Sequence, residues 1–384
     1  MKPTIYLALT DDWELRGDGS GNIEEIQFQP MRKLVSLYNK YNVRATFFAE
    51  MMQQLAFREH QDSHPELKNL ADKWDAHVID AFKKGHDVQL HLHTRWSDAN
   101  YENGTWQVSG DWSILNYDPA RASQMLAAGK DYLEQLLRPI DANYSCVAFR
   151  AGALAIAPSA HILQLLVDNG LVLDTSIVGG LRVETRGIQF DYTNCEESFV
   201  PFYPRMDDAR MVSDKPEKLV CVPIHHFQGS RRQVARQVIS LTWRKAIEYL
   251  KGSRIEDVGF NTGGSAENDW AELKHSSRFA RVYDKVIRPC VKGKHMTSDL
   301  SRLNYSFMRE MLQDIRRRAA ATGLSRIPVV LTNHSKYMVD YASIESFLRE
   351  TSAADDVKFI TLARLAEKLQ AGEFPVSTAS GSDS

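Results

Sequence analysis

Short apolar runs that end in polar residues alternate with helical segments along nearly the whole chain, which favours a parallel sheet wrapped by helices. Thr4 to Leu9 reads as a buried strand ending in Thr10-Asp11-Asp12-Trp13-Glu14. Met31, Leu34, Leu37 and Tyr38 are helically spaced within Pro30 to Tyr41, and Arg44 to Phe48 is the next strand. A helix over Leu67 to Lys84, capped by Gly85, leads into Val88-Gln89-Leu90-His91-Leu92-His93, whose period of two is that of a strand. Asp118-Pro119 starts a helix that runs to Leu137. Cys146 to Arg150 and Leu171 to Leu173 are strands on either side of a helix over Pro158 to Asn169. Further strands are expected at Leu219–Ile224, Val329–Leu331 and Val357–Ile360, with helices at Gln233–Leu250, Asn304–Thr322, Ile344–Glu350 and Leu362–Leu369. An α/β fold, most simply a (β/α) barrel, follows. Residues 1–372 are expected to form one barrel domain, with an insertion at about 228–303 and a disordered, serine-rich tail over 373–384.

Composition narrows the function classes. The 384 residues are 43% hydrophobic and 25% charged with a formal net charge of −2, so bulk nucleic-acid binding is not expected. No secretion signal and no run long enough to span a bilayer is read. Cys146, Cys195, Cys221 and Cys290 are widely spaced without a CxxC, which fits a reducing compartment. The protein is expected to be cytoplasmic, and its oligomeric state is left open.

In parallel barrels the reactive groups lie beyond the C-terminal ends of the strands. Asp11, Asp12, His91, His93, Arg150, Asp174 and His334 all fall at that end of their strands. Two histidines spaced i, i+2 on a strand share a face, and a carboxylate completes a divalent-metal site with room for water. One aspartate would join the histidines, and the other would take a proton from water. Arg150 would hold that base carboxylate, and His334 would protonate the leaving group. Asp174 either tunes His334 or caps a turn. Trp13 and Trp96 are the candidates for contact with substrate, Trp96 within a loop that also carries Tyr101, Trp106 and Trp112; such aromatics stack on sugar rings or pin loops to a core.

This order of motifs, from Thr4 to Lys336, resembles the polysaccharide deacetylase family, metal-dependent carbohydrate esterases of the chitooligosaccharide and peptidoglycan deacetylase kind. The resemblance rests on Asp11-Asp12, on Gly85 to His91, on Phe149-Arg150-Ala151-Gly152, on Asp174 and on Leu331 to His334. It implies a distorted (β/α) barrel with fewer than eight strands, Asp11 as general base, and Asp12, His91 and His93 as ligands of a divalent ion. Zinc is the first expectation, with cobalt, nickel or iron as alternatives. The substrate implied is an N-acylated sugar or glycan precursor that loses an acyl group, acetyl in the first place. The chain departs from the family pattern. Arg95 stands where the second histidine is usual, Thr10 precedes the aspartates, and Ala153 and Leu154 replace the aromatic after the arginine motif. These changes resemble a divergent subgroup associated with cell-surface glycan synthesis. Two other readings stay open, an allantoinase-like opening of a cyclic imide or ureide and a catalytically silent, glycan-binding barrel.

Overall fold

The computed structural model describes residues 2–17, 19–159, 161–185, 187–235 and 294–379. The main sheet is built from β1 (Thr4–Trp13), β2 (Thr46–Glu50), β3 (Asp87–Leu92), β4 (Ala148–Ala151), β5 (Leu173–Asp174), β6 (Val220–Cys221), β7 (Arg326–His334) and β8 (Val357–Phe359). Its order is β6-β5-β4-β3-β2-β1-β7, every pairing parallel, and β8 also pairs with β1. β1 is therefore forked. Its first half meets β8 through Ile5 to Leu7 and its second half meets β2 through Thr10 to Trp13.

The two edges of the sheet curl toward each other. Beyond β6, Ile224 bridges Val330 in parallel and His225 N–H donates to the Val330 carbonyl at 2.9 Å. The sheet so becomes a distorted, irregularly closed (β/α) barrel, as the order of elements led one to expect. Helices α1 (Gln29–Lys40), α2 (Met51–His60), α3 (Pro65–Lys83), α4 (Pro119–Leu137), α5 (Ile162–Asp168), α6 (Tyr305–Ala321), α7 (Tyr341–Ser352) and α8 (Leu362–Gln370) accompany it. α4 starts as its sequence dictates. Asp118 accepts from the N–H groups of Ala120 and Arg121 at 3.0 Å each, with Pro119 in the first turn.

Alternation along the strands sorts the side chains into two layers. Ala8, Phe48, Ala148, Leu173, Val222, Ile224 and Val330 fill one cluster, completed by Leu362, Leu365, Leu369 and Phe374. This is the barrel interior, plugged at one end by α8, whose first N–H groups bond Thr46 Oγ1 at 2.9 Å and Asp87 Oδ2 at 3.0 Å. The other cluster, with Leu7, Leu9, Phe47, Leu90 and Phe149, packs outward against the helices. Trp13 belongs to the outward layer. It is fully buried, tilts on Trp74 and Phe28 with ring centroids 5.0 and 6.1 Å away, and donates Nε1–H to the Gln27 carbonyl at 2.8 Å. The expected substrate contact is thus a core residue, one alternation step away from the rim.

Helix expected at 233–235 is present, whereas the rest of that helix, 236–250, and the loop 259–269 lie outside the described residues. The tail expected to be disordered begins in order: Phe374 is buried, and Ser377 exchanges bonds with Pro201 and Tyr203 at 2.9 and 3.1 Å. Residues 380–384 lie outside the described residues. Because Trp13 is packed on all sides, Trp13→Ala is expected to lower stability by about 3–5 kcal/mol, read as a shift of the urea midpoint. A change below 1 kcal/mol would mean that the indole is not a core element.

Candidate metal centre and acid–base pair

The strand register collects the polar groups. Asp12 pairs with His334 across β1 and β7, and Glu50, His91 and Arg150 form one row across β2, β3 and β4. Residues paired across parallel strands point to the same side, here the open end of the barrel. His93 and Glu14 extend the same alternation just past the ends of β3 and β1.

Glu14, His91 and His93 converge. Glu14 Oε2 lies 2.5 Å from His93 Nε2 and 3.8 Å from His91 Nε2, and all three side chains are buried. His91 Nδ1 lies 2.9 Å from the Arg150 carbonyl, which can only accept, so Nδ1 carries a proton and Nε2 is the atom that would face a cation. Among the described residues the buried His91 Nε2 has no hydrogen-bond partner, and Glu14 Oε2 faces only the two imidazoles. A carboxylate oxygen and two imidazole nitrogens so placed fit a divalent cation, and the three atoms lie within 4.8 Å of one another. Burial opposes charge on Glu14, yet His93, Lys336 and His91 hold its carboxyl well below the ordinary range. Lys336 Nζ donates to Glu14 Oε1 at 2.8 Å. Burial likewise opposes charge on His91, but Glu14, Asp12 and Glu50 raise it to about 9.

Glu50 supports this cluster from behind. One carboxylate oxygen caps α2 by accepting from Met52 N–H at 2.9 Å, and the other accepts from the backbone N–H of His93 at 2.7 Å. The carboxylate thereby ties the start of a helix to the backbone of a candidate ligand.

A second group lies beside the first. Arg150, fully buried over the Phe48 ring, bonds one oxygen of Asp12 and is itself fixed by the Thr175 carbonyl at 3.1 Å and Thr175 Oγ1 at 3.0 Å. The other Asp12 oxygen lies 3.4 Å from His334 Nε2. His334 Nδ1 faces Asp299 Oδ2 at 2.9 Å. Burial disfavours a charged His334, but Asp299, Asp12 and Glu14 outweigh it and raise its pKa above the ordinary histidine value. Asp12, Glu14 and His334 also lie close enough to share a cation. Their free atoms are fewer, since Arg150 takes one side of Asp12 and Asp299 one side of His334.

Asp11, Asp174 and Trp96 do not stand where they were expected. Asp11 is not at the rim: it is one alternation step from Asp12, buried behind β1, where Tyr38 donates to Oδ2 at 2.8 Å and Asn333 donates to Oδ1. Asp12, expected as a metal ligand, is bonded by Arg150 and lies within reach of a cation shared with Glu14 and His334, while Glu14 also stands beside the histidines. Asp174 does not meet His334; it is buried, accepts from Ser176 Oγ at 2.7 Å, and through that serine braces the backbone N–H of Ala151. Trp96 is buried against Phe57 and Trp106 and pins its loop to α2, while Trp112 is the tryptophan that reaches the cavity. Glu14 had a readable signal, the i, i+2 spacing from Asp12 that mirrors His91 and His93. Asp299, at the end of the long insertion, had none.

A cavity of about 800 Å³ opens over Asp12, Glu14, His91, His93 and His334. No family model matches the chain, and no curated protein matches it. Solved structures similar to it include a protein described as a polysaccharide deacetylase from Mycobacterium smegmatis, at TM-score 0.48 and 16% identity over 98% of this chain and 94% of that one. Another, described as a polysaccharide deacetylase from Pseudomonas aeruginosa PAO1, has TM-score 0.43 and 12% identity over 96% and 91%. Puue allantoinase has TM-score 0.45 and 10% identity over 96% and 91%.

Burial raises the Asp11 carboxyl to about 7, against the bonds from Asn333 and Tyr38 that favour its charge. A carboxyl raised on folding keeps its proton in the native state while the unfolded chain has lost it, so it costs stability as pH rises from about 4 to 7. Asp11→Asn removes that cost. Its stability relative to wild type is expected to improve by roughly 2–3 kcal/mol from pH 5 to pH 8, measured by urea unfolding at both pH values. A difference independent of pH would show that Asp11 is ionised in the fold.

Proposed function

We propose that the protein is a metal-dependent hydrolase that removes an acyl group from an N-acylated sugar or glycan precursor. The observation that carries this reading is the pairing, on one rim, of an unsatisfied Glu14-His91-His93 cluster with an Asp12-Arg150 and His334-Asp299 pair. Carbohydrate as the substrate class rests on the motif order stated above.

Glu14, His91 and His93 would hold the divalent ion, zinc in the first place, which when bound supplies Lewis-acid polarisation of the amide carbonyl and lowers the pKa of water. Asp12 accepts the proton of the attacking water. Arg150 fixes that carboxylate so that the oxygen turned toward the cavity is the one that acts. His334, protonated and held by Asp299 at Nδ1, presents Nε2–H to the departing amine. The base and the acid are 3.4 Å apart at their nearest atoms, so the proton taken at Asp12 and the one delivered by His334 are handled on one side of the reacting carbon. Lys336 anchors Glu14 and keeps its second oxygen pointing at the imidazoles.

The test separates metal binding from proton transfer. In protein reconstituted with zinc, Glu14→Ala, His91→Ala and His93→Ala are expected to lose the metal, measured per chain by elemental analysis. Asp12→Asn is expected to keep the metal and lose about 10²–10⁴ in kcat on N-acyl glucosamines. Asp12→Asn protein that loses its metal would make Asp12 a ligand and remove it as the base. Turnover of small cyclic amides without turnover of N-acyl sugars would transfer the site to ring opening, and metal-independent glycan binding without turnover would make the barrel a binding module.

A further inference from the structure

One part of the cavity wall is apolar. Leu154, Leu181, Val183, Ile188, Phe190 and Met296 line it, and Lys294, His295 and Arg302 line the same cavity. Aliphatic side chains dominate that wall. An acetyl group offers one methyl to such a surface and would leave most of it wet, which is unfavourable for an apolar lining.

The wall is held in place by its own hydrogen bonds. Ala153 and Leu154 follow the strand that carries Arg150, and both adopt positive φ, 53° and 63°, a conformation that costs energy in residues with a side chain. The buried Tyr192, just past the hairpin formed by Arg182–Glu184 and Gln189–Asp191, fixes them there. Its hydroxyl donates to the Leu154 carbonyl at 2.5 Å and accepts from Ile156 N–H at 3.0 Å. The clamp holds Leu154, and the hairpin next to it carries Val183, Ile188 and Phe190. These residues line the same cavity as Asp12, His91 and His334.

Resting on the hydrolase reading, we propose that the acyl group released is an unbranched aliphatic chain several carbons longer than acetyl, laid along this wall. The polar amine part of the substrate lies toward Lys294, His295 and Arg302. Hydrolysis adds water across the amide, so the products are the free fatty acid and the amine.

The experiment uses the zinc-reconstituted full chain with N-acetyl-, N-butanoyl- and N-octanoyl-glucosamine, following release of amine. Each buried methylene is worth roughly a threefold gain in kcat/KM. N-octanoyl-glucosamine, six methylenes longer, is therefore expected to exceed the acetyl compound by roughly 700-fold when the whole chain is buried. Val183→Trp, which puts bulk on the wall, is expected to reduce the octanoyl-to-acetyl ratio at least about tenfold, with metal content confirming that the variant folds. Acetyl turned over as well as octanoyl, or a ratio unmoved by Val183→Trp, would overturn the inference and leave the hydrolase standing. No turnover of any member, with octanoyl-glucosamine bound more tightly than acetyl in calorimetry, would remove the hydrolase and keep the chain site. Neither turnover nor length-dependent binding would overturn both.

Discussion

The buried carboxylates at the open end of the barrel are the constraint around which this structure is arranged. Asp12, Glu14, Glu50 and Asp299 are all buried within one neighbourhood, where the buried Arg150 pairs with Asp12 and the half-buried Lys336 pairs with Glu14. An uncompensated buried charge is among the costliest features a fold can carry. In the chain alone these carboxylates favour the charged form of the imidazoles beside them and push His91 and His334 upward. A divalent cation at Glu14, His91 and His93 would offset the carboxylates differently, with the imidazoles neutral and the ion supplying the charge.

Each of those carboxylates is fixed by a group that also serves the fold. Glu50 ends β2, caps α2 and holds the His93 backbone, so one side chain couples the sheet, a helix and a candidate ligand. Arg150 bridges Asp12, Thr175 and Thr332, joining β4 to the loop after β5 and to β1 and β7. Next to the barrel closure by Ile224 against Val330, Ser298 and Asp299 run alongside β7. Ser298 bonds the His225 carbonyl and Thr332, and Asp299 lands beside His334.

The fold was legible because it rests on periodicity. Strand β3 and helix α4 stand essentially where alternation, Gly85 and Asp118-Pro119 put them. Placement at the rim was legible wherever a motif and the strand period agreed, as at His91, His93, Arg150 and His334. At Asp11-Asp12 the two disagreed. β1 continues as a regular strand through Trp13, so its aspartates face opposite layers and a single rim cannot hold both. Extending the period from Asp12 reaches Glu14 and exposes Trp13 as a core residue. Asp299 was not legible, because its place depends on a bridge between Asp299 and Thr332, formed across a separation that no local pattern encodes.

The account turns on two imidazoles and a carboxylate sharing one ion, and an X-ray absorption spectrum at the zinc K-edge of the reconstituted chain tests that directly. The expected result is one zinc per chain with two imidazole nitrogens and oxygen in the remaining positions, at about 2.0–2.2 Å. A shell with three imidazoles would place His334 on the metal and remove the acid. Failure to retain zinc would contradict the metal centre itself.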